Sequence, residues 1–192
     1  MELIEAILNR RSVRQFKKKP VSREILEKLF ERARWSPVAE AFRNYEYWVA
    51  TGSRRDQLVS LISKNTHHFR EALEQLEKTQ PDKAARAVKF YSDLGNAPVV
   101  VVITVPSSDD DAWAAKWHHI RASLELMVLL YVIYAEGLGA CGIALAPWVE
   151  EEIKKALKIS PDCEVLCALA LGYPDESPTV PSHPLAPVHY VS

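Results

Sequence analysis

Five consecutive residues, Arg10-Arg11-Ser12-Val13-Arg14, bring three guanidinium groups and a hydroxyl into one short stretch, with Lys17-Lys18-Lys19-Pro20 close behind. Guanidinium is the side chain best matched to a phosphate, because its planar fork donates two parallel hydrogen bonds and keeps its charge. The plain alternative is a solvated basic turn, since short basic runs often do no more than wet a surface. Other groups are weaker candidates for chemistry. Asp109-Asp110-Asp111 immediately precedes a long helical pattern, so capping of the positive helix end is expected rather than metal binding. His67-His68 and His118-His119 are adjacent pairs, which point apart on a helix and make poor metal ligands. Trp113 and Trp117 lie four apart, where core packing is expected and a stacking wall beside a ligand is the alternative. Cys141, Cys163 and Cys167 form neither a disulfide framework nor a zinc pattern, and burial is expected for the last two.

The elements that must hold these groups follow from the apolar pattern. Leu3, Ile4, Ile7 and Leu8 recur at helical spacing, predicting a short helix that buries one face and presents the arginines at its end. A second helix is expected from Ser22, its cap, to about Arg34, stopped by Trp35-Ser36-Pro37. Residues Tyr45 to Thr51 read as a strand, and Ser53 as the cap of a helix through Ile62. From Asn65 to Leu94 the chain is charged and helical in pattern, with a break at Gln80-Pro81 that predicts two surface helices. Ala97 to Val105 is a β-branched apolar run, which fits a strand buried on both faces between helices. A helix from about Ala112 to Glu136, apolar on nearly every side from Leu126 to Ala135, is expected to be the central buried helix, ended by Gly137 and Gly139. Strands at Ala140–Leu145 and Cys163–Leu171, with a helix from Trp148 to Leu157 between them, complete the core. A proline-rich arm follows from about residue 178 to the end.

Composition narrows the function. The 192 residues suffice for one domain, 1–192, with a substantial core, and a formal net charge of -1 argues against nucleic acid as a partner. Glu2 and Glu5 interrupt any signal peptide, and no apolar run is long enough to span a bilayer. A reduced, cytoplasmic protein is the expectation.

Four segments, in order, resemble the nitroreductase-like flavoprotein family. Arg10-Arg11-Ser12-Val13-Arg14-Gln15-Phe16, followed by Pro20-Val21, is similar to its opening Arg-Arg-Ser-x-Arg-x-Phe. Ala33 to Val49 resembles its segment with Ala-Pro-Ser and Asn-x-Gln-Pro-Trp. Glu136-Gly137-Leu138-Gly139-Ala140-Cys141 resembles its Gly-Leu-Gly, and Ala170-Leu171-Gly172-Tyr173-Pro174 its Leu-Gly-Tyr-Pro, with His183-Pro184-Leu185 beyond. The resemblance implies an α+β fold: a mixed, mainly antiparallel sheet flanked by helices, and a homodimer that exchanges C-terminal arms. It implies one FMN in each of two interface clefts, and an NAD(P)H-dependent oxidoreductase that reduces a small acceptor such as a nitroaromatic or quinone. Arg10, Arg11 and Ser12 would line the phosphate and ribityl side, and Arg14 the pyrimidine edge of the ring, where a cation favours the reduced state. Gly142, Ile143, Ala144 and Leu145 would bring backbone groups to N5. Pro37, Val38, Ala41 and His183 complete the implied cofactor-binding set.

This chain departs from the family pattern at several of those places. Ala41 stands where the family has an asparagine on the ring, and its side chain can neither donate nor accept. Arg43 replaces a glutamine and, with Asn44, is a candidate to compensate. Leu145 or Ala144 stands where glycine often allows close approach, and His183 where a basic residue meets the phosphate. A flavin- or ligand-binding dimer without reductase turnover is therefore the alternative expectation.

Overall fold

Four strands build one sheet: β1 (Glu46–Ala50), β2 (Val99–Pro106), β3 (Gly139–Ile143) and β4 (Cys163–Gly172), in the order β1-β2-β4-β3 with neighbours antiparallel. The structure, a computed structural model, describes residues 2–108, 111–179 and 184–191. The helices are α1 (Leu3–Asn9), α2 (Arg23–Ala33), α3 (Gly52–Ile62), α4 (Asn65–His68), α5 (Arg70–Thr79), α6 (Pro81–Asp93), α7 (Ala112–Ala135) and α8 (Pro147–Leu157).

The apolar run around residue 100 is indeed the centre of the molecule, as its lack of alternation requires. Val100 and Val102, with Ala168 and Ala170 of β4, face a core supplied by α3, α6 and α8 through Leu58, Ile62, Phe90, Val149 and Ile153. Val99, Val101 and Ile103, with Leu169 and Leu171, face α2 and α7 through Leu26, Leu29, Ala33, Leu129 and Ile133. Burying each such aliphatic side chain is worth about 1.5–3 kcal/mol before conformational entropy is charged against it. A bulge between Ile103 and Thr104 passes over Leu166, so β4 changes face at that point.

Helix starts follow local chemistry. The Ser22 hydroxyl accepts from the Ile25 N–H at 3.4 Å, and Asp111 Oδ1 accepts from the Trp113 and Ala114 N–H groups at 3.0 Å. Asp111 thus caps as expected; Asp109 and Asp110 lie outside the described residues. Ser53 does not cap α3, because Gly52, at φ 54°, turns the chain out of β1 one residue earlier. The 65–94 stretch breaks at Gln80-Pro81 but folds as three helices rather than two, closing in a 3₁₀ turn at Leu94–Asn96. β3 ends at Ile143 rather than Leu145, and Gly139 begins it instead of merely stopping α7.

Three burial expectations are corrected. The α1 apolar residues are exposed, Leu3 and Ile4 by 66% and 64%, and only Ala6 is buried. Likewise α7 is not buried all round: the stripe Ala122, Glu125, Leu129 and Ile133 meets the sheet side, while Leu124 and Met127 stand out. Trp113 is 67% exposed and pairs with Trp117 at 5.8 Å on the surface, not in the core. The reason is geometric. A helix offers one side to a sheet, so apolar residues around its whole girth leave a face that this chain alone cannot cover.

The buried thiols make the core sensitive to alkali. Burial pushes Cys167 from 9.0 up to about 12, and raises Cys141 as well, the nearby Arg14 partly offsetting the latter. Unfolded thiols ionise above pH 9 whereas the folded Cys167 holds its proton, so this stability is complete below pH 9 and is lost as pH rises towards 12. The melting temperature should fall steadily across that window. Cys167→Ala should flatten the slope, and an unchanged slope would remove Cys167 as its cause.

Candidate functional site

The arginine run forms an extended hook on the outer edge of β3. Ser12 makes a parallel bridge to Ala140, and the Val13 N–H donates to the Ala140 carbonyl at 3.0 Å. Further on, the Phe16 N–H donates to the Gly95 carbonyl at 2.8 Å and Phe16 bridges to Pro174. Glycines make this close fit possible. A Cβ on Gly139 would lie 2.6 Å from Val13 Cγ2, and one on Gly95 would lie 2.0 Å from the Arg14 carbonyl oxygen. The hook is thus held from two sides, at β3 and at Gly95.

Its charges are arranged for an anion. Arg11 donates to the carbonyls of Leu8 and Arg10, which fixes its fork at the end of α1. The Nε atoms of Arg10 and Arg11 are buried and have no hydrogen-bond partner. Buried donors without partners among the described residues are costly, so an acceptor brought to these two positions would be stabilised there. Arg10 and Arg11 line a cavity of about 280 Å³ with Tyr134, Gly137, Gly139 and Glu176. Glu176 also accepts from the Arg14 backbone N–H. Arg10 and Arg11 against that one carboxylate leave the cavity a formal surplus of one positive charge, which favours an anion; Arg14 follows on the hook but outside the cavity lining. The donor set therefore fits the phosphate end of FMN. The cavity is smaller than pockets that enclose a whole ligand of that size, so it holds only part of one.

Beyond Ala140 and Cys141, β3 continues through exposed Gly142 and buried Ile143 to the loop Ala144–Ala146, so hook and loop belong to the same sheet edge. That loop is held by a residue with no motif signal. Asn65, fully buried at the start of α4, donates through Nδ2 to the Ala144 carbonyl and accepts at Oδ1 from the Ala146 N–H, both at 2.9 Å.

Pro37, Val38 and Ala41 are not brought to the hook. They lie on the loop between α2 and β1, with Ala41 in a 3₁₀ turn, and β1 is the sheet edge opposite β3. Two strands intervene, which separates the edges by roughly 14 Å. Arg43 does not compensate for Ala41 either. It turns inward, donating to the Ser36 and Val38 carbonyls at 3.1 and 2.8 Å and to the Tyr45 hydroxyl at 3.0 Å. Its charge is spent on Glu125, 3.5 Å away and 2% exposed on α7, whose carboxylate also accepts from Ser36 and, at 3.0 Å, from Tyr47. Burial and then the neighbouring Glu125 raise the Tyr47 pKa well above the ordinary range. A lone acid at core spacing in the α7 stripe was the sequence signal for this knot. His183 lies outside the described residues.

The model of the nitroreductase family matches residues 7–173. A 4-nitrobenzoate reductase of Pseudomonas putida is 25% identical, with 92% of this chain and 87% of that protein covered. Among solved structures, an FMN-dependent nitroreductase of Mycobacterium smegmatis in complex with NADPH has the same fold at a TM-score of 0.75, with 17% identity and 98% and 97% of the two chains covered. A BluB-like flavoprotein of Clostridium difficile 630 superposes at 0.72 with 22% identity, covering 96% and 95%. The antiparallel sheet flanked by helices is the fold that the four sequence segments implied, and the chain belongs to the nitroreductase family, whose members are NAD(P)H-dependent flavin oxidoreductases that use FMN.

Proposed function

We propose that this protein is a cytoplasmic, homodimeric FMN oxidoreductase that passes electrons from NAD(P)H to a small acceptor such as a nitroaromatic or a quinone. The observation that carries the reading is the pair of buried Nε atoms on Arg10 and Arg11, unpartnered among the described residues, in a cavity with one surplus positive charge. Arg10, Arg11 and Ser12 would hold the phosphate and ribityl chain. Arg14 would lie at the pyrimidine edge, and backbone groups of Gly142 to Leu145 would meet the ring. The chemistry FMN supplies when bound is two-electron transfer between a reduced nicotinamide and the acceptor. The chain's own part is to grip the phosphate, place a cation where the reduced ring gains negative charge, and shield the ring from water.

Homodimerisation is supported by three exposed apolar features: the outer face of α7, the α1 residues Leu3, Ile4, Ile7 and Leu8, and Leu185, Val188, Tyr190 and Val191 of the C-terminal arm. Pro37, Val38 and Ala41 sit at the wrong sheet edge for their own hook, so we assign them to the partner's cofactor. The three cysteines are free, as suits a reducing compartment, and no helix among the described residues is long and apolar enough to cross a membrane.

Purified protein incubated with FMN should turn yellow, and NADH or NADPH should bleach it, with a quinone restoring the colour. A protein that stays colourless ends this reading. One that is coloured but not bleached is the alternative, a flavin-binding dimer without turnover, which Ala41 and the diverted Arg43 favour. Arg10→Ala and Arg14→Ala should each weaken FMN binding by about 1.5–3 kcal/mol, the worth of a hydrogen bond to a charged group. Fluorescence titration measures this, and unchanged affinity in both variants would make the hook a solvated turn.

A further inference from the structure

We infer that Asn65 is a positioning residue that aims the Leu145 N–H out of the protein as a hydrogen-bond donor to the flavin ring; the inference rests on the FMN reading above. Asn65 is fully buried, and its amide is completely committed to one loop. Nδ2 holds the Ala144 carbonyl and Oδ1 holds the Ala146 N–H, each at 2.9 Å. These two atoms belong to successive peptide groups that flank Leu145. Among the described residues there are no cis peptide bonds, so the C=O and N–H of each of these groups point in opposite directions. With the Ala144 carbonyl turned in towards Asn65, the Leu145 N–H of the same peptide is turned away from α4.

That N–H has no hydrogen-bond partner among the described residues. Its neighbour Ala144 is exposed, whereas Ala146 is buried, so the loop is open on one side only. The open side continues the edge of β3 on which the arginine hook is built. A backbone donor left free along the sheet edge that carries the hook, and fixed by a side-chain amide whose hydrogen bonds both go to this loop, is the arrangement expected of a preorganised contact. It also resolves the departure at Leu145. The contact needs the peptide of residue 145 and not its side chain, which packs partly against the core.

The test uses the full-length protein with FMN. In the wild type, exchange of the Leu145 amide should be fast without FMN and slow once FMN is bound. In Asn65→Ala and Asn65→Asp the bound flavin should show a shifted N5 resonance in ¹⁵N-labelled FMN and a changed midpoint potential. Reduction by NAD(P)H should be about tenfold to a hundredfold slower, the usual consequence of a misplaced contact. FMN affinity, which is set by the hook, should change by less than about threefold, because removing a guanidinium is the larger loss. If the wild-type Leu145 amide exchanges at the same rate with and without bound FMN, the inference is overturned, and this arm does not depend on the variants folding. An unchanged N5 resonance and potential in folded variants overturns it equally. Failure of the wild type to bind FMN at all defeats the underlying reading instead.

Discussion

Gly95→Ala is expected to weaken FMN binding by roughly a hundredfold and to destabilise the protein by about 2–4 kcal/mol. The new methyl would lie 2.0 Å from the Arg14 carbonyl oxygen and 2.7 Å from its carbon, and both are backbone atoms that no rotamer change can move aside. Overpacking of this kind costs about 1–3 kcal/mol. The left-handed conformation at φ 63° adds about 1 kcal/mol for any residue with a Cβ. The displaced segment is the one that carries Arg14, and it is also held to Gly95 through the Phe16 N–H. Gly52→Ala is the control. Gly52 has a similar φ of 54°, but its Cβ would meet nothing within 4 Å, so only the conformational cost remains and FMN affinity should not change. Denaturant unfolding and flavin titration separate the two effects. A Gly95→Ala protein that binds FMN as the wild type does would show that the hook is not held in place by this contact.

The second large effect is expected at Glu125. Its carboxylate is nearly inaccessible and joins α7 to the loop that carries Pro37, Val38 and Ala41. Glu125→Ala removes the counter-charge of Arg43 and leaves the Ser36 and Tyr47 hydroxyls without their acceptor. Breaking a buried pair from one side costs about 3–5 kcal/mol. Arg43 keeps 25% of its side chain exposed, so water relieves part of that, and the expected loss is about 3 kcal/mol. For a chain of this size that corresponds to a fall in melting temperature of roughly 6–12 °C. Glu125→Gln keeps one acceptor oxygen for one hydroxyl and presents an amide N–H to the other, so it should cost less than Ala, about 1–2 kcal/mol. Thermal melts of the two variants decide the matter: equal melting temperatures for Ala and Gln would mean that the hydrogen bonds count for nothing, and wild-type behaviour in both would dismiss the knot.

How far the molecule was legible in its sequence depended on the range of the interactions involved. The β2 strand was readable because burial on both faces leaves no alternation, and Ser22 and Asp111 were readable as caps because capping acts within three residues. The arginine run stood out as a candidate because phosphate recognition uses a narrow choice of side chains in close succession. What could not be read were contacts between segments far apart in the chain. Asn65 meets Ala144 and Ala146 across some 80 positions, and nothing local distinguishes it from any polar residue opening a charged helix. Arg43 resembled a replacement ligand until its partner Glu125 was located on another helix. The exposed Trp113 misled for a different reason: apolar periodicity reports that a face must be covered without reporting whether the same chain covers it.

The bridge between Ser12 and Ala140 has one more consequence, for how such sequences are interpreted across a family. The unpaired rim of a sheet is a growth point at which a second molecule can attach and propagate an aggregate. Here the arginine-rich segment occupies that rim, and its cluster of like charges repels an incoming copy of itself. Natural selection on solubility would preserve these arginines even in a descendant that had given up its cofactor. Retention of the motif in a relative is therefore weak testimony to retained electron transfer, and the colour of the isolated protein is the better witness.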